Sequence, residues 1–136
     1  MSVVGYSGKP VSAKLDFKAG AEILLVSAPS DYFDLVAPIP EGVRFVEDAT
    51  GGTSAAHVFV QSADALRSIL SKLRDSLSPA AFVWVSWPKK ASKVETDVTE
   101  NTIRDIALPL GYVDVKVCAI SGVWSGLKLF VRKELR

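Results

Sequence analysis

Cysteine is almost missing from this chain of 136 residues: Cys118 stands alone. No disulfide can close within it, and a reducing compartment, the cytoplasm, is expected. Histidine is as scarce, with His57 the only one. A His/Cys zinc site therefore lacks ligands, no carboxylate cluster of metal-binding spacing replaces them, and no metal is expected. Any Ser-His-Asp or Cys-His chemistry would have to use His57 as its base. Charge of one sign is lacking too. The 16 Lys+Arg and 15 Asp+Glu leave a formal charge of +1, which argues against a nucleic-acid partner. Long apolar runs are absent. Residues 23–26 and 80–85 fall far short of the ~20 that span a bilayer, so no membrane partner is expected. The first residues do not follow the order of a signal peptide. Neither GxGxxG nor GxxxxGK(S/T) occurs, so no standard phosphate loop is present.

What remains is ordinary globular composition, 49% hydrophobic and 23% charged. That suits a single domain over residues 1–136, with 1–20 as an N-terminal segment packing on a sheet. Ser7 or Ser12 caps a short helix there, with Leu15 and Phe17 facing inward. The apolar run Ala21–Ser27 reads as a strand buried on both faces, ended by Pro29. Ser30 to Val36 follows as a short helix with Ser30 as its cap. Val43–Glu47 is a second strand, 49–54 a glycine-containing loop, and Ala56–Val60 a third strand.

Ser62 opens the clearest helix. Leu66, Ile69, Leu70, Leu73 and Leu77 form one apolar stripe along it. Ala81–Trp87 is a fourth strand. Asp97 or Thr99 caps the next helix, and Asp97 with Glu100 resembles a capping box. Ile103, Ile106, Ala107 and Leu110 are its buried face, and Gly111 stops it. Tyr112–Ile120 and Gly126–Arg132 alternate apolar and polar residues about a turn at 122–125. They are expected to form an antiparallel pair at the sheet margin.

Strands alternating with helices imply a mostly parallel α/β sheet of about six strands covered on both faces. With its closing hairpin, this order resembles a small class I S-adenosylmethionine-dependent methyltransferase-like, Rossmann-type domain. Lys18-Ala19-Gly20 before the first strand, Leu77-Ser78-Pro79 before Phe82-Val83-Trp84-Val85, and the Gly111 turn resemble the corresponding junctions of that fold. The segments Gly5-Tyr6-Ser7-Gly8, Val85-Ser86-Trp87-Pro88-Lys89-Lys90, Ala107-Leu108-Pro109-Leu110-Gly111 and Trp124-Ser125-Gly126-Leu127-Lys128 are similar to a family of small bacterial proteins classed as a domain of unknown function. The resemblance implies a strand order beginning second-first-third-fourth, with the sixth strand antiparallel between the fourth and fifth. It implies a ligand edge at the carboxyl ends of the first and third strands.

That fold normally carries an acidic residue and a glycine-rich turn after its first strand. Here the turn is Ser27-Ala28-Pro29-Ser30-Asp31, without glycine. Pro29 removes a backbone donor. The Pro-rich catalytic motif expected after the third strand is replaced by Gln61-Ser62-Ala63. No catalytic residue is assigned and no cofactor is expected. Should S-adenosylmethionine bind in an atypical loop, Ser27, Ser30, Asp31 and Glu47 are the residues to hold it, Glu47 at the ribose. Capping of the short helix and a solvated strand end are the plainer roles of these four.

Trp87, Lys89, Lys90 and Lys93 form the most suggestive stretch. They suit a small anionic ligand or a protein partner, or else a solvated basic loop with Trp87 covering the core. Trp124 is either a partner or self-association anchor, making a homo-oligomer, or a residue folded back on the sheet. Lys128 is expected to pair across strands with Asp114. His57 is expected to be a hydrogen-bonded structural residue, and Cys118 packed and inert. Tyr6 with Gly5 and Gly8 forms either a lid over the sheet edge or a free terminus. A degenerate, non-catalytic methyltransferase-like domain is the function these features favour.

Overall fold

A computed structural model describes residues 9–136. Residues 5–8, read as a lid or a free terminus, and the candidate cap Ser7 among them, lie outside the described residues. Six strands form one sheet: β1 (Glu22–Val26), β2 (Arg44–Val46), β3 (Thr53–Phe59), β4 (Phe82–Pro88), β5 (Tyr112–Ala119) and β6 (Trp124–Val131). Their order is β2-β1-β3-β4-β6-β5. The first four are parallel neighbours, and β6 is antiparallel to both β4 and β5. The expected insertion of the last strand is present.

Helix α1 (Val11–Lys14) precedes the sheet, and α2 (Tyr32–Val36), α3 (Ala63–Ser76) and α4 (Glu100–Ala107) connect strands. On one face Leu66, Leu70 and Leu73 of α3 and Ile103 and Ile106 of α4 pack on Val83, Val85, Leu127 and Leu129. Each such buried side chain contributes roughly 1.5–3 kcal/mol. On the other face Leu15, Phe17, Tyr32 and Val36 cover Ile23, Phe59 and Trp84. Trp84 is fully buried, and its indole N–H donates to the Leu15 carbonyl at 2.8 Å. The N-terminal segment is thereby tied to the middle of the sheet.

Several local expectations need correction. Pro10, whose fixed φ suits a helix start, precedes α1. Ser12 lies inside that helix, and its hydroxyl donates to the Pro38 carbonyl at 2.6 Å. Asp31 precedes α2 without a side-chain cap, so Ser30 does not cap it. Thr99 and Thr102, not Asp97 and Glu100, make the capping box of α4. The Asp97 carboxylate instead accepts the Ala63 N–H of α3 at 2.8 Å. Two caps thus converge on α3, because the Ser62 hydroxyl accepts from Ala65 N at 3.2 Å.

Lys128 does not pair with Asp114. In register, Asp114 stands opposite Leu129 while Lys128 stands opposite Lys116. Strand alternation therefore puts the two on opposite faces. Asp114 binds Arg104 at 2.9 Å, and that guanidinium holds its carboxyl below the usual range. Lys128 binds Asp16 at 2.7 Å, and Lys116 binds the same oxygen at 2.9 Å.

Gly111 closes α4 and its short 3-10 extension at φ 101°. A Cβ there would meet Leu135 Cδ1 at 2.8 Å and Arg74 Nε at 3.2 Å. Gly111→Ala should cost about 1–2 kcal/mol, from the left-handed backbone and the crowding together. Urea denaturation of the two proteins measures it.

Candidate functional site

The carboxyl ends of β1 and β3 flank a cleft of about 380 Å³. Ser27 and Pro29 form one wall, Gln61, Ser62 and Ile69 the other, and Phe59 and Trp124 the side toward β6. Local sequence explains each placement. Pro29 cannot continue β1, Ser62 turns β3 into α3, and the hairpin returns Trp124 to the same edge. The Trp124 ring stands edge-on to Phe59 with centroids 5.0 Å apart. Trp124 is half-buried and folded back on the sheet.

The turn after β1 is unusual. Ser27 adopts φ 58°, the left-handed conformation that favours glycine. It is exposed, as are Ser30 and Asp31. Glu47 is exposed one residue beyond β2. Of the four candidate cofactor residues, only Ser27 lines the cleft. α2 is one turn long and presents no extended row of N–H donors.

Trp87 is 9% exposed and packs against the core near the end of β4. The lysines beyond it face solvent to different degrees: Lys89 is half-buried, while Lys90 and Lys93 are exposed. None forms an ion pair among the described residues. From there the chain passes back over the cleft rim. Gln61 Nε2 donates to the Glu95 carbonyl at 3.4 Å, and Thr96 Oγ1 donates to the Gln61 carbonyl at 2.7 Å. Residues 95–97 are thus fastened just beyond the end of β3. The anion position at the start of α3 is filled by Asp97. Among the described residues the cleft wall carries no charged side chain.

His57 is fully buried in mid-strand, below this edge. Its Nδ1 lies 3.0 Å from Tyr32 Oη and its Nε2 2.7 Å from Ser86 Oγ. Burial pushes the imidazole down to about 3 and raises the Tyr32 phenol. All three side chains of this Ser-His-Tyr row are buried, so its geometry is that of a core hydrogen-bond chain. Cys118 is half-buried, and burial raises its thiol, which lowers its reactivity. No group of three or more His, Cys, Asp or Glu able to hold a metal occurs among the described residues. No helix among them is long and apolar enough to cross a membrane.

Solved structures share this arrangement. The B. subtilis tRNA methyltransferase TrmK superposes over 94% of the chain and 68% of its own length, with TM-score 0.61 and 10% identity. A TehB-like SAM-dependent methyltransferase from Corynebacterium glutamicum matches over 94% of the chain and 90% of its own length, with TM-score 0.55 and 10% identity. A methyltransferase from Pyrococcus furiosus covers 88% and 79%, with TM-score 0.55 and 13% identity. The chain has the methyltransferase-like α/β fold. No family model matches the chain, and no curated protein sequence does. At such identities the likeness is one of fold, and fold does not carry activity.

The fold makes S-adenosylmethionine the cofactor to test against these residues. They do not fit it in the manner the fold implies. No glycine lets a ligand approach the turn backbone, Pro29 has no N–H to offer, and its ring lines the cleft. Sequence reasoning placed Gln61 and Ser62 at this edge but missed Phe59 and Ile69 as cleft walls. Ser62, a cap directly after a buried strand, was the signal that could have marked them.

Proposed function

We propose that this chain is a methyltransferase-like domain that binds a small ligand at its carboxyl edge without conventional methyl transfer. The glycine-free Ser27-Ala28-Pro29 turn, whose proline ring lines the cleft, carries the proposal. The cleft chemistry suits a flat, uncharged body. Trp124 and Phe59 offer apolar surface, and Ser27, Gln61 and Ser62 offer hydrogen bonds at its rim. The Asp97 carboxylate already holds the α3 terminus, so an anionic group is not favoured there. A role as an S-adenosylmethionine-dependent enzyme is the second reading, favoured by the superposition on a SAM-dependent methyltransferase along 94% of the chain.

Nicotinamide, a flat neutral amide, and inorganic phosphate are suitable probes for an NMR titration. Nicotinamide should shift the Gln61, Ser62 and Trp124 signals to saturation, and Trp124→Ala should weaken it about tenfold, the ~1.4 kcal/mol of a lost aromatic contact. Phosphate should leave these signals in place. Saturable phosphate shifts at Ala63 with none from nicotinamide would overturn the ligand assignment.

A further inference from the structure

We propose a second ligand site at the opposite, amino end of the sheet, for a small carboxylate with a flat apolar body. A cavity of about 280 Å³ opens there, sharing no wall with the carboxyl-edge cleft. That volume is near the lower end of ligand-sized pockets, ~300–1,000 Å³. Phe17, Ile23, Phe82 and Phe130 make its apolar wall, and Asp16 and Lys18 are its charged groups. Ile23 comes from the start of β1, Phe82 from the start of β4 and Phe130 from the end of β6, so the floor is rigid sheet.

The surrounding charge selects the ligand. Lys116 and Lys128 stand directly opposite on β5 and β6. One oxygen, Asp16 Oδ2, serves both ammonium groups, at 2.9 and 2.7 Å. Lys128 Nζ lies 4.3 Å from the Phe82 ring centre and 5.0 Å from that of Phe130. Arg136 adds a guanidinium 5.2 Å from the Phe130 ring centre. Two cavity walls are therefore backed by cations, a fourth cation, Lys18, is on the wall itself, and Asp16 is the one carboxylate in the lining among the described residues. A second carboxylate relieves this imbalance, and ring stacking holds its apolar body. An amine of the same shape meets repulsion instead.

Benzoate and benzylamine, titrated into the full chain and followed by NMR, separate these cases. Benzoate should shift the Lys18, Phe82 and Phe130 signals to saturation, while benzylamine should not. Lys18→Ala should weaken benzoate about fivefold, since a partly exposed ion pair gives that much. Lys18 is exposed, so the variant should fold. Benzylamine binding as tightly as benzoate, no saturable shift with either, or equal benzoate affinity in Lys18→Ala would each overturn the proposal. None of these outcomes bears on the carboxyl-edge cleft.

Discussion

Asp16→Ala should lower stability by about 2–3 kcal/mol, below the ~3–5 of a fully buried broken pair because the Asp16 side chain is 28% exposed. The reason lies in strand register. Lys116 and Lys128 face each other across β5 and β6, and like charges in that position repel. Asp16, held at φ 62° in the connection between α1 and β1, reaches both. Without it, Lys128 is left with its side chain 9% exposed and its charge uncompensated. Asp16→Asn should cost nearly as much. Asn tolerates the same backbone conformation, so this variant isolates the charge. Lys128→Met in the Asp16→Ala background should recover most of the loss. Thermal denaturation of the four proteins tests this, and a Tm unchanged in Asp16→Asn would contradict it. Burial pushes the Asp16 carboxyl up, but hydrogen bonds from Lys128 and Lys116 outweigh it and hold it below its ordinary value. The stabilisation is therefore complete above the usual carboxylate range and is lost as pH falls through the lowered value.

Acid should destabilise the protein over an earlier window as well, through His57. The buried imidazole is pushed down to about 3, while an unfolded histidine takes a proton near ~6.5. The unfolded chain thus binds the extra proton between those values. Stability is full above the unfolded value and falls as pH drops from about 6.5 toward 3, at up to ~1.4 kcal/mol per pH unit. His57→Gln should flatten the dependence in this window. Ser86→Ala leaves the imidazole Nε2 without its partner and should cost about 1–3 kcal/mol near neutral pH. Urea midpoints between pH 4 and 7 measure both. A midpoint independent of pH in the parent chain would contradict the account of His57.

The fold was legible because its signals are local and periodic. The stripe from Leu66 to Leu77, the continuous apolar strands and the alternating final pair fix element types, and the α/β order then limits the topology. What escaped is set by tertiary choice. Asp97 and Thr99 are equally plausible caps two residues apart in sequence. Only the packed chain shows that Thr99 serves α4 and Asp97 crosses to α3. Lys128 could not be paired correctly from alternation alone, because the irregular register between Asp114 and Lys116 alters which residues stand opposite. Asp16, between two buried apolar residues of the N-terminal segment, gave no periodic signal. At the carboxyl edge the missing glycines were plain in the sequence. The position of Trp124 over Phe59 was not, since the hairpin tip can fold either way.

The central claim is that the glycine-free turn after β1 does not hold the cofactor of the fold. Isothermal titration of the full chain with S-adenosylmethionine and S-adenosylhomocysteine tests it most directly. The account predicts no saturable heat up to about 1 mM of either, equivalent to less than ~4 kcal/mol of binding. Micromolar binding that is lost on Glu47→Ala would contradict it.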